Sequence, residues 1–298
     1  MTPAAAGPAQ TDETQQPFAW TTIVWVAVLL GVCYAPVIYF LVKQWYDDAD
    51  MGHGFFVPVI AGYIVWQTRD LVAGRKPKPN WWGLAIMIWA GFQLYIATLG
   101  AELFLARTSL VISIIGATLL LGGIEYITAF AFPLFLLFFM VPIPAVIYNQ
   151  ITFPLQLIAS QASEVAISVL QIPVIREGNV LVLPSQSLNV VEACSGIRSL
   201  LTLTFLSLVY GYFCEKRTWI RVTLFFATIP IAIIANAGRV TMTGVVSEIN
   251  TDLAEGFFHE AQGWVIFMFA FAILAVLHQV LVRTAKFFND RNPLNSAQ

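Results

Sequence analysis

Charge is scarce in this chain. Of 298 residues only 11% are Asp, Glu, Lys or Arg, against 58% hydrophobic and a mean hydropathy of +0.77. A water-facing domain carries about 25% charged residues, so an ordinary soluble fold is excluded. The same shortage leaves no basic stripe for nucleic acid, and no nucleic-acid partner is expected. Cysteine is nearly as rare. Cys33, Cys194 and Cys214 are the whole complement, without CxxC spacing, which excludes a disulfide framework. No group of His, Cys and Asp has metal-ligand spacing and no phosphate-cradling loop occurs, so neither a metal nor another cofactor is expected. The stretch Met1–Pro17 carries Asp12 and Glu13 but no Lys or Arg. Without the positive start of a cleavable signal peptide, it reads as a disordered tail.

Long apolar runs are what the chain has in abundance. Several approach the ~20 residues that cross a ~30 Å hydrocarbon core. Because backbone polar groups in lipid must be satisfied within the segment, the runs predict an all-α polytopic membrane protein. About eight transmembrane helices are expected, with an interfacial helix and a small extracytoplasmic hairpin-like lobe. The spans fall at roughly Ala19–Val42, Phe55–Gln67, Trp82–Leu99, Leu103–Gly122, Tyr126–Val141, Ser195–Cys214, Thr218–Ala237 and Phe258–Leu281. The second is short and contains Pro58, which neighbouring helices would have to accommodate. Pro142-Ile-Pro144 stops the fifth. From Ala145 to Ile172, Asn149, Gln156, Ser160, Ser163, Glu164 and other polar residues interrupt the apolar run and predict an interfacial helix. Val174–Val191, with Val180–Leu183, a Pro184–Ser187 turn and Leu188–Val191, predicts a β-hairpin or extended lobe. The domain organisation is then a tail over 1–17, one transmembrane catalytic domain over 18–285 with a lobe at about 145–193, and a cytoplasmic tail over 286–298.

The few charges are unevenly placed. Arg69, Arg75, Lys76 and Lys78, then Lys216, Arg217 and Arg221, then Arg283, Lys286 and Arg291 share one face of an eight-span topology. The positive-inside rule makes that face cytoplasmic. Asp47, Asp48, Asp50, Glu102, Glu177, Glu248, Asp252 and Glu255 fall on the other. Lys43, Arg107, Arg176, Arg198 and Arg239 break the bias, and the arginines among them lie in the outer half of the bundle or in the lobe.

The most informative stretch runs from Asn189 to Ser199, where a polar, strand-like segment meets the sixth span. Cys194 falls at the first turn of that helix, where unpaired N–H groups and the helix dipole favour a thiolate. On the expected topology Arg239 closes the seventh span and His259 opens the eighth, both on the outer face. A thiolate suits a transient acyl intermediate. An imidazole can accept a proton and return it to a leaving amine. A guanidinium presents fixed donors to a developing oxyanion. Cys194, Arg239 and His259 are therefore the candidate catalytic residues. Arg198, one turn after Cys194, either pairs with Glu192 or meets an acid of a substrate. Those two, with His53 at the start of the second span and Asn236 one turn before Arg239, form the candidate substrate-binding set. Alone, a membrane cysteine is more often packing and a helix-end arginine more often snorkels. Their shared company favours function. His278, deep in the last span, is expected to be structural.

Three ordered motifs among these residues resemble the exosortase/archaeosortase family: Cys-Ser-Gly-Ile-Arg at Cys194, Ala-Asn-x-x-Arg at Ala235–Arg239, and His-x-x-x-Gly-Trp at His259–Trp264. His53-Gly54 and Pro142-Ile-Pro144 are similar to its bacterial branch. The resemblance implies a multi-pass cysteine transpeptidase of the bacterial inner membrane whose site faces the periplasm. Its partners would be proteins with a C-terminal sorting signal of PEP-CTERM type: a Pro-Glu-Pro-like motif, a transmembrane helix and a basic tail. The family's Cys, Arg and His then fall on Cys194, Arg239 and His259. The substrate would be held as a thioester and passed to a cell-surface acceptor, lipid- or polysaccharide-linked. A secondary transporter binding an anionic solute through Arg239, Arg198 and His53 is the alternative. Transporters, however, place such sites near the midplane on broken helices, whereas these residues are expected at one edge. A non-catalytic envelope scaffold gives no reason for a thiol at a helix start.

Overall fold

A computed structural model of the protein describes residues 20–72, 77–190, 196–250 and 257–290. The tail expected over 1–17 lies outside the described residues. The chain forms two compact units, Met1–Lys43 with Phe55–Val141, and Gln44–Gly54 with Pro142–Gln298.

The first unit starts with α1 (Trp20–Cys33) and α2 (Ala35–Asp47), two helices meeting at 70° where one straight span is expected. Pro36 gives no N–H to the helical ladder and breaks it at Tyr34. Tyr34 is buried, its hydroxyl 2.7 Å from Ser113 Oγ and donating to the Ser109 carbonyl at 3.2 Å. Next, α3 (Phe56–Thr68) has 13 residues, short of a full crossing. Pro58 sits in its first turn, where the N–H has no intrahelical acceptor, so no neighbour has to compensate for it.

Small residues set the spacing of α4 (Trp82–Leu99) and α5 (Leu103–Gly122). The buried positions of α4 are Gly83, Ala90 and Ala97, spaced at heptad intervals, and a Cβ at Gly83 would strike the backbone of Gly116 and Leu120. In the turn between them, Glu102 caps α5 by accepting the Leu105 N–H at 2.7 Å. Gly123, at φ +79°, ends α5, and a Cβ there would fall on the Lys78 carbonyl. Lys78 also pairs with Glu125 at 3.1 Å. The expected fifth span is divided into α6 (Ile124–Ala129), α7 (Ala131–Leu136) and a 3₁₀ turn over Leu137–Met140. Pro133 cannot donate to Ala129, so the ladder fails where α6 stops.

The second unit contains a 3₁₀ segment (Ala49–Phe55), α8 (Ala145–Val169), a three-stranded antiparallel sheet, α9 (Gly196–Cys214), α10 (Thr218–Ile249) and α11 (Phe257–Asp290). One stripe of α8 buries Thr152, Ala159, Ser160, Ser163 and Ile167, and of its polar residues Ser160 and Ser163 donate to the carbonyls of Gly178 and Ala237. The expected hairpin is β2 (Val180–Val182) with β3 (Ser187–Asn189); β1 (Ile175–Glu177) is an additional strand on its edge. Gly178, at φ +66°, opens the tight loop between β1 and β2, the position where a primed turn demands glycine. One apolar cluster joins Leu181, Leu183, Leu188 and Val190 of this lobe to Ile167 of α8 and Val240 of α10. A second joins Leu203 of α9, Ile220, Leu224, Ile231 and Ala235 of α10, and Ala270 and Leu274 of α11.

The protein is thus a helical, multi-pass membrane protein. Among the described residues four helices, α4, α5, α10 and α11, are long and apolar enough to cross, or up to six if two bent pairs each count as one. Reaching the expected eight requires the bent α1–α2 pair, α3, the broken α6–α7 run and α9 to be crossings in addition to these four. Free Cys33 and Cys214 lie on exposed helix surfaces.

Candidate active site

α10 has 32 residues, about 48 Å at 1.5 Å per residue and well beyond a ~30 Å core. It does not end near Ala237 as its polar Asn-Ala-Gly-Arg segment suggests. The helix continues to Ile249 because protein groups satisfy the extension. Ser163 of α8 donates to the Ala237 carbonyl at 3.0 Å, and the turn between β2 and β3 is tied to the helix end through Ser185, whose backbone N–H and Oγ reach Glu248 Oε1 at 3.0 and 2.6 Å. Asn236 and Arg239 therefore stand inside a helix, on the seam between the two apolar clusters, one bounded by Ala235 and the other by Val240.

Both side chains are buried, Asn236 at 8% and Arg239 at 9% exposure. Burying a guanidinium is costly unless its charge serves something. That of Arg239 lies against α11 at Gly263, where an added Cβ would sit 3.6 Å from Nη2 and 3.7 Å from Cζ. Gly263 is one helical turn past His259, so the structure brings the arginine to the stretch of α11 that carries the histidine. Gln262 adds a second tie, its Nε2 donating to the Arg239 carbonyl at 2.9 Å. Asn236 lines a small cavity of about 20 Å³ with Thr152 and Gln156 of α8, Leu200 of α9 and Ile233 of α10.

His53 is buried at 7% and stacks at a tilt on Phe205 of α9, ring centroids 6.0 Å apart. Phe205 is two turns past Arg198 on that helix. Arg198 and His259 are placed by their helix backbones, and their side chains lie outside the described set. Cys194 and Glu192 lie outside the described residues. α9 starts at Gly196, two positions after the cysteine.

His278 belongs to a separate cluster at the far end of α9. Its Nδ1 is 2.9 Å from the Tyr210 hydroxyl and its Nε2 3.4 Å from Glu215 Oε2, which gives it the structural place expected from sequence. Glu215, in the loop after α9, also accepts the backbone N–H groups of Arg217 and Lys216 at 2.8 Å each. The Arg217 hydrogen bond is the chief reason its carboxyl is held below the ordinary glutamate range.

Sequence reasoning missed Gln262, Thr243 and Ser163 as parts of this region. A glutamine one turn after a candidate histidine, at the head of the apolar run 264–277, is the available signal. Among the described residues no group of His, Cys, Asp and Glu could hold a metal. A family model described as transmembrane exosortase matches residues 45–276. No curated protein and no solved structure matches the chain.

Proposed function

The chain belongs to the transmembrane exosortase family, and from that premise we propose that it is a cysteine transpeptidase or protease of the bacterial inner membrane. It cleaves a C-terminal sorting signal on the periplasmic side and transfers the substrate to a cell-surface acceptor. The Cys194 thiolate attacks the scissile carbonyl carbon, and the resulting oxyanion is held by the planar donors of Arg239. As the tetrahedral adduct collapses, the C–N bond breaks and the imidazolium of His259 gives its proton to the departing amine. A thioester to Cys194 remains. An acceptor amine or hydroxyl, or water, loses its proton to His259 and attacks that thioester, which frees the thiolate. His53, Arg198, Asn236 and Glu192 bind and orient the signal peptide.

The observation that carries this function is the buried Arg239 guanidinium against Gly263, one turn from His259. A charge placed there serves a reacting carbonyl better than it serves packing. Cys194→Ala is expected to leave the protein inserted while uncut, C-terminally tagged substrate accumulates. A hydroxylamine-sensitive adduct is expected on the wild type alone. Normal processing by the alanine variant would remove the cysteine mechanism.

A further inference from the structure

Gln262 is 3% exposed and makes two interhelical hydrogen bonds from α11 to α10. Its Nε2 donates to the backbone carbonyl of Arg239 at 2.9 Å, and its Oε1 accepts from the Thr243 hydroxyl at 3.2 Å. Thr243 is one turn beyond Arg239, so the single amide spans one turn of α10 and both ends of the amide are used. The threonine hydroxyl fixes which way the amide faces, and so keeps the donor on Arg239. The guanidinium lies against α11 at the next residue, Gly263, where an added Cβ would stand at ordinary contact distance, 3.6 Å from Nη2. Arg239 therefore meets α11 at adjacent residues: its carbonyl accepts from Gln262, and its head group lies beside Gly263. His259 precedes them by one turn on the same helix, at a fixed 1.5 Å rise per residue.

Building on the transpeptidase function above, we propose that Gln262 is a positioning residue that sets the axial register of Arg239 against His259. The amide touches no substrate. It acts through the main chain of Arg239 and holds oxyanion donor and acid–base group at one separation while the tetrahedral adduct forms and collapses. Small register errors are costly in such a site, where a displacement near 1 Å can cost ~100-fold in rate. Without the amide, the apolar faces of α10 and α11 still pack, because Ile231, Ala235, Ala270 and Leu274 do not depend on it. Its removal should therefore affect turnover more than folding or substrate affinity.

The test uses full-length protein in proteoliposomes with a tagged sorting-signal substrate, and four variants: Gln262→Met, Thr243→Val, Arg239→Ala, and Gln262→Met combined with Arg239→Ala. Gln262→Met, close in shape but without the amide, is expected to lower kcat roughly 10- to 100-fold with KM within about 2-fold. Thr243→Val is expected to lower kcat about 3-fold, since it only frees the amide to flip. In the Arg239→Ala background, Gln262→Met should add no further loss, because the group it positions is gone. Wild-type kcat in Gln262→Met, or a full additive loss in the double variant, overturns the proposal. If Gln262→Met fails to insert, Thr243→Val decides, and wild-type kcat there overturns it.

A second measurement does not depend on activity. Spin labels at Met242 and Val265, exposed at 40% and 63% on α10 and α11, should give a narrow distance distribution that broadens in Gln262→Met. An unchanged distribution also overturns the proposal. Cys194→Ala in the same assay tells the two failures apart. Continued processing there refutes the cysteine chemistry, whereas a dead Cys194→Ala beside a fully active Gln262→Met refutes only the positioning role.

Discussion

Arg239 shows what a single residue does when a helix is extended around it. Its place along the helix is fixed from two sides, by Gln262 at its own carbonyl and by Ser163 at the Ala237 carbonyl two residues earlier. Arg239→Lys is expected to insert normally yet lose roughly 100- to 1,000-fold in turnover, because a point-charge ammonium cannot replace a planar fork at an oxyanion. Substrate-processing kinetics check this, and wild-type turnover would remove the oxyanion role. Gly263 gives a graded companion. A Cβ at that position meets the guanidinium at ordinary contact distance, 3.6 Å, and alanine gains about 1 kcal/mol of helix propensity over glycine. Gly263→Ala should therefore keep activity with equal or higher stability, while Gly263→Leu should insert and lose processing as the head group is pushed off α11.

At the scale of elements, proline and glycine decide where helices break and how closely they approach. Pro36 and Pro133 divide runs that hydropathy alone treats as single spans, whereas Pro58 falls in a first turn and divides nothing. All three are visible in the sequence. Their effects differ by position within a helix whose start is set by neighbours, and the residues alone do not show where that start falls. Pro142-Ile-Pro144, with two prolines together, stops the run in sequence and structure alike. The α4–α5 pair depends on absent side chains. Gly83→Leu would drive atoms into the backbone of Gly116 and Leu120, and overpacking of this kind costs about 1–3 kcal/mol. Thermal unfolding of the detergent-purified variant is expected at lower temperature than wild type, and an unchanged midpoint would show that the two helices can separate freely.

At the scale of the whole molecule, the proposed orientation and the acid limb of stability are both measurable. With Cys33 and Cys214 changed to serine, a membrane-impermeant maleimide applied from the periplasmic side should label Cys194. Labelling only after the membrane is permeabilised would reverse the proposed topology. Glu215 supplies the acid limb. Its folded pKa is depressed, chiefly by the Arg217 N–H, so its contribution is complete above the unfolded value of about 4.3 and is lost as pH falls through the lower folded value. Wild type should therefore lose stability in that acid range more steeply than Glu215→Gln, by thermal unfolding measured across pH. Parallel slopes would show that the loop carboxylate is not linked to folding.

The sequence alone determined the membrane, the helical class, the family motifs and the residue types of the candidate site. Apolar run length, scarcity of charge and ordered motifs are local properties, and solvent or chemistry responds to them directly. Tertiary structure decided the rest: the continuation of α10 past Arg239, the third strand on the lobe, the meeting of Arg239 with Gly263, and the clamp at Gln262. Each depends on a partner distant in the chain that satisfies a buried polar group or fills a space left by glycine, and hydropathy along one strand of sequence contains no record of which partner that is.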